Sequence, residues 1–345
     1  MTEFTITEPQ AQPAILGQNK AENWILKAAS MNRLPHAVGV YGAFGIGKAT
    51  FSFRVARWLI AGRPEADTLS VDPDHRAFRL IAQGSHPDLI HVTPPDTNVR
   101  QQRKEIPVDT IRAAAERLRA TSMEGGARVL IVEQADLLNM NAANALLKVL
   151  EEPGPETFMF LTAPQPGRLL ATIRSRLLPL SLKPVETDLM ADFVDQAFAG
   201  TDVARRNRLA RQARGCPGQA VQLASLGWTD RYDDALQMIM TKNARTERVL
   251  ALGRLWSEFA EKAGLPMAFD LISVLIRRAV DRQVGRPLSD DNTAEDRCLD
   301  HLQRPLDRWL ELWDKLGDFA RSLDPLSLNR RQVFTLLADE LVPRT

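Results

Sequence analysis

Ala37-Val38-Gly39-Val40-Tyr41-Gly42-Ala43-Phe44-Gly45-Ile46-Gly47-Lys48 is a short apolar run that breaks into a glycine loop and ends on a lysine. Its first five residues predict a buried strand, and Thr50 to Ile60 predicts the helix that follows. Gly42, Gly45 and Gly47 have the spacing of a loop whose backbone N–H groups converge on phosphate oxygens. The helix behind such a loop presents its positive end, and Lys48 would reach the outer phosphates. Strand before and helix after are the context this motif requires.

Outward from the loop, the same alternation continues. Leu89 to Thr93, Val129 to Val132 and Phe158 to Thr162 are short apolar runs of strand length. Between them, Val108 to Ala120 and Asn141 to Glu152 are rich in Ala, Leu, Arg and Glu at helical spacing. Pro107 suits a first helical turn, where a missing N–H is harmless, and Pro153-Gly154 ends the later helix. Strands alternating with helices predict an α/β fold with a parallel sheet covered by helices on both faces. Strand signals stop after Leu182-Lys183-Pro184. Glu186 to Ala224 predicts two or three short helices, and from Trp228 onward the chain reads as all helical. Its heaviest stripes are Leu252, Leu255, Trp256 and Phe259, then Leu306, Trp309, Leu310 and Trp313. Trp309 and Trp313 read as core, and Asp281 to Glu295 as a polar loop. Cuts at Pro184 and Gly227 give segments 1–183, 184–227 and 228–345.

Two positions around the loop lack groups that hydrolysis needs. Ala49 stands where Ser or Thr would give a hydroxyl to Mg²⁺. Thr50 lies one residue on, rotated by about 100° around the helix, so it is not expected to substitute. The run Arg128 to Asp136 would carry an Asp-Glu pair at its end in ATPases of this architecture. Here Glu133 and Gln134 take those places, and a carboxamide cannot accept a proton near neutral pH. Glu133 reads equally as a polar residue ending a buried strand. Nothing in the spacing brings Asp136 to the phosphates.

Composition narrows the class. At 345 residues the chain fits two or three domains. Its 44 Lys and Arg against 43 acids exclude a globally basic nucleic-acid coat. Arg205, Arg206, Arg208 and Arg211 could face DNA phosphates, but read first as a solvated helix face. Cys216 and Cys298 are the two cysteines, which fits a reducing compartment and excludes a four-cysteine zinc site. Residues Met1 to Pro13 lack the basic start and apolar stretch of a signal peptide, and no run is long enough to span a membrane. A soluble intracellular protein is expected.

The ordered set Leu34-Pro35-His36-Ala37, Gly45-Ile46-Gly47-Lys48, Ser85-His86-Pro87-Asp88-Leu89, Val108-Asp109-Thr110-Ile111-Arg112, Asn144 to Pro153 and Ile173-Arg174-Ser175-Arg176 resembles the clamp-loader subunits of the AAA+ superfamily. The likeness covers the first half of the chain; Leu328 to Gln332 is faintly similar to the C-terminal domain of those subunits. His86-Pro87-Asp88 and the damaged loop resemble the delta-prime type rather than the ATP-hydrolysing gamma/tau type, which stays as the alternative. The resemblance implies that segment 184–227 is a helical lid and 228–345 a helical collar used in oligomerisation. It further implies partners of gamma/tau and delta type, with the sliding clamp and primer-template DNA reached through the complex in the bacterial cytoplasm, and no membrane. It makes Arg176, with Ser175, an arginine finger acting on a neighbour's ATP; from local sequence alone Arg176 is a surface arginine at a helix end. Its second sensor arginine would fall at Gly218. ATP or ADP bound without hydrolysis at Gly42, Gly45, Gly47 and Lys48 is compatible with it. Relatives often carry a zinc module before the His-Pro-Asp segment, but Arg63 to Gly84 has no cysteine. His75, Asp72 and Asp74 read as a solvated turn, so no zinc is expected. Leu177, where a cysteine commonly follows, should affect packing only.

Overall fold

The computed structural model describes residues 7–64, 67–95, 105–120, 122–123, 125–286, 293–302, 304–322 and 329–343. Residues 1–6 of the Met1 to Pro13 segment, Leu328 and the 287–292 part of the expected polar loop lie outside them. Five strands form one parallel sheet: β1 (Ala37–Tyr41), β2 (Leu89–Val92), β3 (Arg128–Val132), β4 (Thr157–Ala163) and β5 (Leu178–Ser181), in the order β2-β3-β4-β1-β5. The expected strands β1 and β4 lie side by side and pair Val38 with Phe160 and Val40 with Thr162.

The period of two along each strand builds two cores at once. Val38, Val40, Val129, Ile131 and Phe160 face α1 (Asn19–Ser30), α2 (Lys48–Ile60) and α3 (Arg76–Ala82). Leu130, Val132, Met159 and Leu161 face α4 (Val108–Arg119) and α5 (Met140–Glu151). Each sheet face is therefore dry, which explains why the strands read as continuous apolar runs. Arg54 and Arg57 of α2 are buried as well. Arg54 meets Glu22 and the Pro13 carbonyl, and Arg57 meets the carbonyls of Gln10 and Gln12, tying segment 8–16 to the helix. Burial and the neighbouring Arg54 charge push the Arg57 guanidinium down to about 10.

Strand β5 escapes a sequence reading because Pro179 lies within it. The proline sits on an edge strand, where a missing donor is tolerated. The short α6 (Ala171–Arg174) leads into it. Helices α7 (Thr187–Ala197), α8 (Val203–Gln212) and α9 (Pro217–Ser225) follow.

The chain divides into two compact units, 1–201 with 210–221 and 202–209 with 222–345. The second contains α10 (Trp228–Met240), α11 (Arg245–Ala263), α12 (Leu265–Gln283), α13 (Thr293–His301), α14 (Leu306–Ser322) and α15 (Arg330–Leu341). Leu252, Leu255, Trp256 and Phe259 of α11 are buried as their stripe requires. At Gly253 a Cβ would stand 2.5 Å from Thr335 Oγ1, so α11 and α15 cross backbone against backbone.

Three expectations fail in this unit. The polar segment is shorter than 281–295, because α12 runs to Gln283 and Glu295 is a buried residue of α13. Trp309 is core at 1 % exposed, but Trp313 is 45 % and Leu310 59 % exposed. The α14 stripe is wider than the surface it packs on, and Leu312 and Leu316 fill the core side instead. The basic run is only partly solvated. Arg208 is 5 % exposed, lies over the Tyr232 ring and pairs with Asp233 at 2.5 Å, while Arg205 pairs with Asp230 at 2.7 Å.

Candidate functional site

The loop 42–48 leaves β1 and enters α2 directly. Gly45 and Gly47 hold φ of 73° and 103°, a region that a Cβ strains, so the backbone itself requires glycine there. Lys48 Nζ curls back to donate to the carbonyls of Gly42 at 2.8 Å and Ala43 at 2.9 Å. Burial pushes its pKa below the usual lysine value, with Cys216, Asp136 and Glu133 partly offsetting the fall.

A cavity of about 770 Å³ opens beside the loop, within the range of small-molecule sites. Gly45, Gly47, Lys48, Ala49 and Thr50 line one side, and Glu133, Gln134, Asp136 and Thr162 another. Pro9, Ile15, Phe193 and Val221 give an apolar remainder, with the polar Gln12 among them. None of these last five had a sequence signal, because the fold gathers them from segment 8–16, α7 and α9.

Asp136 corrects an expectation: it does border the cavity. Gln134 adopts a left-handed φ of 49° and donates its N–H to Thr162 Oγ1 at 3.1 Å; a single 3₁₀ turn at Ala135–Leu137 then brings the aspartate round. Linear spacing does not reveal this reversal. Glu133 is engaged elsewhere, its Oε1 lying 2.8 Å from His91 Nε2.

The cavity's last wall is the start of α9. Gly218 N–H donates to Gly45 O at 2.8 Å. A Cβ on Gly218 would lie 3.0 Å from Gly45 O, and one on Gly45 would lie 2.3 Å from the Gln219 nitrogen. Gly218 is thus the residue that lets α9 touch the loop, besides lacking a guanidinium.

The family model described as "DNA polymerase III, delta subunit" matches residues 17–186. The chain is 29% identical to DNA polymerase III subunit delta' of Pseudomonas aeruginosa over 68% of each chain, and 33% identical to that of Escherichia coli over 54% of each. Over residues 17–186, just under half of the chain, the likeness is to the delta-prime subunits of DNA polymerase III. Escherichia coli DNA polymerase III subunit tau is 27% identical over 71% of this chain and 40% of its own length. A gamma subunit-related protein from Thermotoga maritima covers 92% of this chain at 17% identity and a TM-score of 0.46.

Two further delta-prime segments have clear places. The His86-Pro87-Asp88 turn is a structural anchor: buried Asp88 accepts from Ser122 Oγ at 3.0 Å and from Met123 N–H at 3.0 Å. His75 caps α3 through Nδ1, and Asp72 accepts from Asp74 N–H. Arg176 follows α6 on the surface and does not border the cavity. Its Nη1 donates to Thr172 O at 2.7 Å and its Nη2 pairs with Glu151 at 2.5 Å. Ser175 Oγ donates to Thr172 O at 3.1 Å and so finishes the helix that Arg176 leaves. Leu177 is buried in the α4–α5 core, consistent with a packing role.

Proposed function

We propose that this delta-prime-like chain is the non-hydrolysing stator of a sliding-clamp loader in the bacterial cytoplasm and supplies Arg176 in trans to a neighbouring ATPase subunit. The observation that carries the reading is the separation of the two halves of the chemistry. The loop has its cavity but lacks a metal hydroxyl at Ala49 and a base at Gln134, whereas the arginine lies outside that cavity with its side chain a third exposed. A planar guanidinium on a subunit surface can neutralise charge developing on a phosphoryl group held by another subunit. Partners on this reading are gamma/tau-type and delta-type subunits, with the clamp and primer-template DNA engaged through the complex. Segments 184–227 and 228–345 serve as lid and collar.

Nucleotide fits the loop and the cavity volume, so ATP or ADP could be held by Gly42, Gly45, Gly47 and Lys48. Magnesium fits poorly, since Ala49 brings no oxygen. One observation favours the alternative of a hydrolysing motor: Asp136 supplies a carboxylate on the cavity wall. Turnover by the purified chain, abolished in Asp136→Asn, would support that reading over ours.

The test of the finger is a reconstituted loader. Arg176→Ala should assemble normally by gel filtration yet lose most single-turnover hydrolysis at the one site it serves, where a finger contributes on the order of 10³ or more. Arg176→Lys should rescue little, because an ammonium lacks the planar fork. Wild-type kinetics in a fully assembled Arg176→Ala complex would return the residue to the ordinary surface.

A further inference from the structure

We infer that Glu151 is a positioning residue for Arg176, fixing the guanidinium before it meets a neighbour's phosphate; this rests on the reading that Arg176 acts in trans. The contact joins two elements. Glu151 is the last residue of α5, and Arg176 lies just beyond α6. The base of the clamp is rigid: Leu146, Val149 and Leu150 of α5 are buried in the core, and Asn139 caps the helix by accepting from Ala142 N–H. On the other side, Arg176 is held by a carbonyl of its own α6, Thr172 O, with Ser175 Oγ at 3.3 Å from Nη1.

These contacts use the two terminal nitrogens. A guanidinium has five N–H donors, so donors remain for a phosphoryl oxygen. An unrestrained arginine on a surface samples many rotamers, and each contact made in advance removes ordering that the transition state would otherwise require. The pair is exposed, with Arg176 35 % and Glu151 50 % accessible, so its contribution to overall stability is small. Removing the carboxylate should therefore leave the fold and assembly unchanged and act on the arginine alone.

The experiment is a double-substitution cycle in the reconstituted loader, read by single-turnover hydrolysis across ATP concentrations. Glu151→Ala should lower the maximal rate at the served site about 2- to 5-fold, the fold-change an exposed ion pair is worth, with half-saturating ATP unchanged. Glu151→Gln, which keeps an acceptor oxygen, should recover most of the rate. In an Arg176→Ala background, Glu151→Ala should have no further effect. Unchanged or faster hydrolysis in Glu151→Ala, where Arg176→Ala is slow, would overturn the positioning role and leave the finger standing. An equal loss in both backgrounds would also overturn it, since Glu151 would then act independently. Wild-type rates in Arg176→Ala would remove the finger and this inference together.

Discussion

Lys48 has two fates open to it, and its surroundings decide between them. In the structure its ammonium satisfies the carbonyls of Gly42 and Ala43, so an incoming anion must compete with contacts the loop already has. Beside it, Ala49 gives no oxygen and Gln134 no proton acceptor. The isolated chain should show ATP turnover no faster than background, and Asp136→Asn should not change that. Labelled nucleotide titrated with and without Mg²⁺ should give nearly equal affinities. A large magnesium gain that disappears in Lys48→Ala would contradict this account. Ala49 and Gln134 were legible because each departs from a motif at a fixed place. Asp136 was not, since its approach depends on the left-handed backbone of Gln134.

Among the elements, α9 reaches the site directly, because its first turn touches the loop. The Gly218 N–H bond to Gly45 O joins two glycines, of which Gly45 has no room for a Cβ and Gly218 has it only tightly against backbone. Restoring the missing sensor as Gly218→Arg should therefore fail to create ATPase activity. The new side chain meets backbone rather than a flexible tip, and overpacking of this kind costs about 1–3 kcal/mol. A lowered urea midpoint with no gain in turnover is the expected result; hydrolysis gained at unchanged stability would show that α9 moves freely. At the sheet edge beside β1, β5 depends on Pro179 being tolerated, which only strand order determines.

For the whole molecule, the all-helical unit is organised around buried charge. Glu295, 1 % exposed, receives Arg278 through Nε at 2.7 Å and Nη2 at 3.0 Å, and the Tyr232 hydroxyl at 2.5 Å. Burial alone would raise its carboxyl pKa, but the hydrogen bonds from Arg278 and Tyr232 outweigh it and hold the group below the usual carboxylate value. Burial and the Glu295 charge push Tyr232 well above the usual phenol value, so its proton stays to be donated. Glu295→Ala strands the partly buried guanidinium of Arg278 and the buried Tyr232 hydroxyl, and should cost up to about 3 kcal/mol, seen as a lower urea midpoint. Because the folded pKa is depressed, the Glu295 contribution is fully present above the ordinary value near pH 4. It is lost as pH falls through the lower folded value, so the gap between wild type and variant should narrow there. A gap that stays constant down to acid pH would rule out ionised Glu295 as its source. Elsewhere in the unit, Arg304 donates to the carbonyls of Glu340 and Leu341, and Arg245 to those of Asp339 and Val342, closing the end of α15.

The sequence by itself determined strands β1 to β4, helices α2, α4 and α5, the loop and its two vacant positions. Each depends on local period, glycine freedom or the chemistry of one side chain, and none needs a distant partner. Tertiary structure alone decided which charges are spent internally and which surfaces stay open. Arg208 and Arg205 look solvated in a row of arginines until Asp233 and Asp230 of α10 meet them. Trp313 looks like core until Leu312 and Leu316 fill its place. Arg176 and Glu151 are 25 residues apart, and only the packing of α5 against α6 makes them one contact. Burial and pairing are properties of two segments at once, and a periodic pattern in one of them carries no information about the other.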